Sequence, residues 1–403
     1  MRVDLLTKEY PPKVYGGAGV HVEELVRALR GRVGTEALDV RVRCFGEPRD
    51  EDGTTGYADP PSGLESSNAT LQTIGVDLPM ASDCGGADVV HSHTWYAGMA
   101  GHLAGLLHGV PHVATAHSLE PLRPWKAEQL GGGYRLSSWI ERMAFLNAAG
   151  VIAVSDGMRR DILRCYPDID PERVFMVHNG IDTQRWSHVS EPELVRRHGV
   201  DPDQPSVVFV GRITRQKGLP YFLRAAAELP PDVQLVLCAG APDTKEIAAE
   251  VAGLVADLRA TRRGVVWIDE MLPQPEVAAL LSAGTVFACP SVYEPLGIVN
   301  LEAMACELAV VATATGGIPE VVADGQTGWL VPIEQVQDGT GTPVDPDRFV
   351  ADMAATLVEA VSDPGRAAER GRAGRRRAQE EFSWGSIASR TVQVYDSVLK
   401  RAG

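Results

Sequence analysis

The sequence predicts an α/β protein of two domains, each a parallel sheet with helices on its faces. Three observations carry this. Short apolar runs alternate with segments of helical spacing up to about residue 178, an order that implies parallel strands. The alternation restarts at Ser206, after a polar stretch. At 403 residues the chain is also too long for one ordinary core.

Residues 2–6 read as a first buried strand. The loop from Lys8 to Gly19 holds Gly16, Gly17 and Gly19, which would let the backbone approach a phosphate or sugar; a plain tight turn is the other reading. Gly17-x-Gly19 lacks the third glycine of a dinucleotide fingerprint. Val22, Leu25, Val26 and Leu29 then share one helical face. Residues 38–45 make a second strand. Residues 46–68, rich in Gly, Pro, Ser and acids, predict a mobile surface loop.

Asp88-Val-Val-His91-Ser-His93 is a strand running into polar residues, and residues 110–116 form another that ends at His117. Histidines at such strand ends point into the crevice of an open α/β sheet. Arg123 and Lys126 flank Trp125 on the next loop, a setting for an anionic sugar or for a solvated loop. Residues 134–149 read as an amphipathic helix, and strands at 151–154 and 174–177 complete the first half. Asn179-Gly180 opens a polar run to Gln204, read as a junction between domains at 1–183 and 184–383.

The second half opens with a strand at 206–210 and then Gly211-Arg212-x4-Lys217-Gly218. Two cations five apart on a glycine-bounded loop, at a strand's carboxyl end, suit a diphosphate leaving group. Further strands fall at 233–238, 265–268, 286–289 and 309–312. Between the last two, Glu294 belongs on a loop and Gly297 opens a helix. The amides of Gly297, Ile298 and Val299, at the positive end of that helix, suit a phosphate. Glu302, farther along the helix, suits ribose hydroxyls. Turns at Gly316-Gly317 and Gly325–Gly328 lead to a last strand. Residues 366–377 carry six arginines, offset by Glu369, Glu380 and Glu381, which reads as a solvated helix face. A helix to Lys400 closes the chain.

Bulk properties exclude several classes. A net charge of −15 argues against a nucleic-acid surface. No apolar run approaches ~18 residues, so no membrane span is expected. The six cysteines lack zinc or C-x-x-C spacing and read as buried free thiols. The N-terminus lacks the order of a signal peptide, so a cytoplasmic location is expected. His91, His93 and His117 could ligate a metal, but no further ligand has matching spacing, and no metal cofactor is expected.

Glu294-x7-Glu302, Gly211-Arg212-x4-Lys217-Gly218, Asp88-x2-His91-x-His93 and the strand-end His117 together resemble the motifs of retaining glycosyltransferases of the GT-B architecture. Over nearly the whole chain the sequence is similar to short actinobacterial, glycogen-synthase-like members. The resemblance implies two Rossmann-like domains facing a central cleft, with the last helix, 384–403, returning to the N-terminal domain. It implies that 1–183 binds the acceptor and 184–383 the nucleotide sugar. ADP-glucose would be a substrate, not a cofactor. The acceptor would be glucose 1-phosphate, or alternatively an α-glucan, joined through an α-1,4 link with retained configuration. Arg212 and Lys217 would hold the leaving diphosphate, Glu294 and His117 the donor sugar, and Glu302 the ribose. The Gly17 loop resembles the Gly-Gly loop of starch and glycogen synthases, which implies donor contact. Arg123 and Lys126 stand as candidates for an acceptor phosphate. The nucleotide base, monomer against homodimer, and a nucleotide-sugar epimerase as the alternative enzyme stay open.

Overall fold

The computed structural model describes residues 1–403 apart from Tyr15, residues 33–36, Asp52 and Gly403. Tyr15 of the glycine loop and Asp52 of the 46–68 segment therefore lie outside the described residues. The chain divides into two units, Met1–Gly180 with Trp384–Gly403, and Ile181–Ser383.

The strands of the first unit are β1 (Arg2–Thr7), β2 (Asp39–Gly46), β3 (Arg49–Glu51), β4 (Thr54–Ala58), β5 (Val89–His93), β6 (His112–Ala116), β7 (Gly150–Ala153) and β8 (Val174–Met176). They lie in the order β3-β4-β2-β1-β5-β6-β7-β8, and only β3 and β4 pair antiparallel. Val3, Leu5 and Leu6 of β1 and Val89 and Val90 of β5 have no exposed surface, as expected where helices cover both sheet faces. The helix Gly17–Arg30 packs Val22, Leu25, Val26 and Leu29 on this sheet. The terminal helix Trp384–Ala402 enters the same core through Ile387, Tyr395 and Val398, so its place in the first unit is a matter of shared burial.

The predicted mobile loop at 46–68 is instead partly sheet. β3 and β4 form a hairpin, β4 extends the parallel sheet beside β2, and Tyr57 is buried. The cause is long-range. Arg43 donates to Tyr57 Oη and to buried Asp4, both at 2.9 Å, and Tyr57 donates to Asp83 at 2.8 Å. A buried ion pair of this kind persists only when its remaining polar groups are satisfied. The strand is thus held by partners that local composition does not reveal.

The second unit contains β9 (Ser206–Arg212), β10 (Gln234–Gly240), β11 (Val265–Ile268), β12 (Val286–Cys289), β13 (Ala309–Thr313) and β14 (Gly328–Val331). All pair parallel, in the order β11-β10-β9-β12-β13-β14. Strand order reverses between β9 and β12, the point at which open α/β sheets bind ligands. The loops leaving these two strands carry Lys217 and Glu294. Among the described residues no helix is long and apolar enough to cross a membrane. All six cysteines are free thiols, and five are buried.

Candidate active site

In the second unit two loops meet at the switch point. Thr214 caps a short turn over Arg215–Lys217, and Gly218 follows at φ +62°. A Cβ on Gly218 would stand 2.0 Å from the Pro290 carbonyl oxygen, so only glycine lets the Lys217 loop lie against the segment after β12. The amide of Val292 donates to the Gln216 carbonyl at 2.9 Å and joins the same two segments. Lys217 Nζ then reaches Glu294 Oε2 at 2.7 Å, and Ser291 Oγ donates to the same oxygen at 3.0 Å. Burial pulls the Lys217 ammonium down, but Glu294, then Cys289 and Glu302, outweigh it and raise its pKa.

Gly297 has φ +97° and precedes the helix Ile298–Ala305. A Cβ there would meet the Asn300 side-chain nitrogen at 2.6 Å and Glu294 Cγ at 3.2 Å, so the tight entry to this helix again requires glycine. Ile298 and Val299 are partly exposed in its first turn. Asn300 is fully buried, and neither atom of its amide has a partner. Burial pushes the Glu302 carboxyl up to about 7, against the pull of Lys217. The Gly317 amide fixes the Glu294 backbone by donating to its carbonyl at 2.9 Å.

Lys217, Glu294, Gly297 and Glu302 are therefore brought together. Arg212, at the end of β9, instead pairs with Asp243, a residue that sequence reasoning did not single out. Its Nε is buried without a partner.

In the first unit, His117 Nε2 lies 3.0 Å from His93 Nδ1. The His21 ring stands 4.7 Å from that of His117 and 5.3 Å from that of Trp384, centroid to centroid. His91 is occupied elsewhere: Nδ1 bonds Tyr395 Oη and Nε2 bonds Thr115 Oγ1, each at 2.7 Å. The histidines whose nitrogens converge are thus His21, His93 and His117, within 4.8 Å of one another, and not the set of His91, His93 and His117 weighed from the sequence. The helical spacing marked Val22, Leu25, Val26 and Leu29 and did not single out His21. Burial holds His91, His93 and His117 well below the usual histidine range and His21 down to about 4, so these rings are neutral at pH 7.

Gly17 opens the helix Gly17–Arg30, and the Glu9 carboxylate accepts from the Gly16 amide at 2.8 Å. That helix start thus already faces an anion. Beyond His117, Arg123 donates to Ser118 Oγ at 2.9 Å, and its Nε is buried without a partner. The Lys126 amide donates to the Arg123 carbonyl at 2.9 Å, which sets the two cations on one turn. Beneath this loop, Glu141 accepts from the Glu120 amide at 2.8 Å and from the Tyr166 hydroxyl, and Ser137 donates to the Glu120 carboxyl at 2.6 Å. Burial and the neighbouring Glu120 push Glu141 up to about 8.

Comparison with known proteins gives the following. Residues 15–185 match Glycosyltransferase Family 4, and residues 204–357 match Glycosyl transferases group 1. The chain is 56% identical over 402 residues to an alpha-maltose-1-phosphate synthase of Mycolicibacterium smegmatis, covering 99% of this chain and 100% of that one. It is 53% identical over 401 residues to the enzyme of the same name from Mycobacterium tuberculosis, again covering 99% and 100%. Among solved structures, sucrose-phosphate synthase from Thermosynechococcus elongatus superposes with a TM-score of 0.76 at 23% identity, covering 99% of each chain. That last likeness is one of fold.

Proposed function

The chain belongs to the GT-B glycosyltransferases, and on that premise we propose that it moves glucose from ADP-glucose to glucose 1-phosphate, forming α-maltose 1-phosphate. Full-length identity to two synthases of that product supports the reading. The observation that carries it within this molecule is the Lys217–Glu294 pair beside the Gly297 helix start, at the strand-order reversal of the second unit.

In this reading Ile181–Ser383 binds the nucleotide sugar and the first unit binds the acceptor. The amides of Gly297, Ile298 and Val299 take the diphosphate, Lys217 and Arg212 offset its charge, and Glu302 accepts from the ribose hydroxyls. Glu294 and His117 contact the donor glucose, His117 as a neutral ring. The bond from the anomeric carbon to the β-phosphate oxygen breaks, and negative charge grows on ADP. Oxygen 4 of the acceptor attacks the same face and passes its proton to the departing phosphate oxygen, so configuration is retained. The protein's own cations meet the diphosphate charge, and transfer proceeds without a metal. A cytoplasmic location belongs to the same proposal.

The test is product analysis after incubation with ADP-glucose, alone and with glucose 1-phosphate or glycogen. ADP and maltose 1-phosphate should form only with glucose 1-phosphate, and EDTA should leave the rate unchanged. ADP release that ignores the acceptor, extension of glycogen alone, or an epimerised donor would each overturn the proposal.

A further inference from the structure

The first unit has its own reversal of strand order, between β1 and β5. By the same rule its ligand should lie off the carboxyl ends of those two strands. Lys8 follows β1 directly. Its Nζ lies 4.3 Å from the centroid of the Tyr96 ring and 5.9 Å from that of Phe45. Among the described residues Lys8 makes no ion pair; burial lowers its pKa, and Asp59 and Glu9 act from farther off to raise it. A half-buried ammonium of this kind has given up water for a ring face, and an anionic ligand would restore what it lost.

The strand register places the group. Leu6 pairs with Ser92, and His93 with Thr115. Lys8 lies two residues beyond Leu6 and His117 two beyond Thr115, each just past the carboxyl end of its strand. Lys8 and His117 thus leave the same sheet edge two strands apart, roughly 10 Å at the usual strand spacing. The helix Thr94–His108 begins between them with no acid in its first turn. Its N-cap residue His93 is 1% exposed and keeps Nε2 without a partner.

We propose that Lys8, with the Tyr96 face and the start of the Thr94–His108 helix, binds the phosphate of a sugar-phosphate acceptor. The proposal rests on the transfer reading above. In glucose 1-phosphate the phosphate and the attacking oxygen 4 stand at opposite ends of one ring, and the gap from Lys8 to His117 accommodates one such ring. Lys8 thereby selects a phosphorylated monosaccharide over the uncharged end of a glucan.

The test is steady-state kinetics of the full chain with Lys8→Ala, Lys8→Arg and Arg123→Ala, with thermal melts to check folding. Lys8→Ala should raise KM for glucose 1-phosphate ~10–100-fold, the loss of one charge-assisted hydrogen bond, and shift KM for ADP-glucose less than about twofold. Lys8→Arg should recover most of the loss, and inorganic phosphate should compete with the acceptor less well in Lys8→Ala. Equal shifts in both constants, no shift, or an effect confined to Arg123→Ala would overturn the site. If Lys8→Ala melts early, Lys8→Gln takes its place. If the unaltered protein turns over no glucose 1-phosphate, the transfer reading fails. The site is then judged by calorimetry, in which equal binding of glucose 1-phosphate to the unaltered protein and the Lys8 variant would overturn it.

Discussion

Lys217 keeps its charge although the surrounding protein opposes it, because Glu294 stands 2.7 Å away. In the proposed transfer this arrangement suits a leaving group: a cation already fixed in place would need no reorganisation as the nucleotide departs. Lys217→Ala should lower kcat ~10²–10³-fold, about 3–4 kcal/mol of transition-state stabilisation. The variant also strips a buried Glu294 of its partner, so a melting curve must accompany the rate. Near-normal turnover in a folded variant would remove Lys217 from the chemistry. The motif around this residue was legible because Arg212, Lys217 and Gly218 share one short loop, and the reason for Gly218 is plain once Pro290 is seen behind it. Asp243 was not legible, since the pair it forms with Arg212 spans 31 positions and no spacing rule links them. Lys8 was passed over for the same reason, its aromatic neighbours lying on other strands and helices.

The terminal helix Trp384–Ala402 does more than cover the sheet. Tyr395 is fully buried, and its hydroxyl bonds His91 Nδ1 at 2.7 Å. Tyr395→Phe leaves that nitrogen buried and unpaired, which should cost about 1–3 kcal/mol, measured by chemical denaturation. An unchanged midpoint would show that the bond contributes nothing net. The helix itself was readable from its apolar spacing, and its return to the first unit from the family resemblance. The hairpin β3–β4 was not readable, because Thr54-Thr-Gly-Tyr57 sits in turn-rich sequence and is held by Arg43 and Asp83. Likewise the pattern of the Gly17–Arg30 helix marked Val22 and Leu25 as core but could not place His21 beside His117.

At the scale of the molecule, the two units should answer differently to acid. His21, His91, His93, His112 and His117 all lie in the first unit with pKa values lowered by burial, to about 4 for His21 and about 3 for His112. A histidine held neutral contributes full stability above its unfolded pKa of about 6.5, and loses it as pH falls toward the folded value, since the unfolded chain takes the proton first. Asp77 and Glu141, raised by burial, act in the opposite sense. With His102, also lowered by burial, six histidines stand against two acids and leave a net loss below about pH 6.5, each unbalanced group contributing about 1.4 kcal/mol per pH unit. In the second unit Glu302, raised to about 7, gains in acid instead. Hydrogen exchange at pH 7 and pH 5 should therefore show protection lost in the first unit and kept in the second; parallel loss in both would refute the assignment. The discontinuity of the first unit has a further consequence, for how the protein is born. Its closing helix leaves the ribosome only after all of Ile181–Ser383. Until then the slot that Ile387, Tyr395 and Val398 will fill stays open on a nascent domain whose first 180 residues were made long before. The later-made domain can finish folding first, and the earlier one must wait until Trp384–Ala402 emerges.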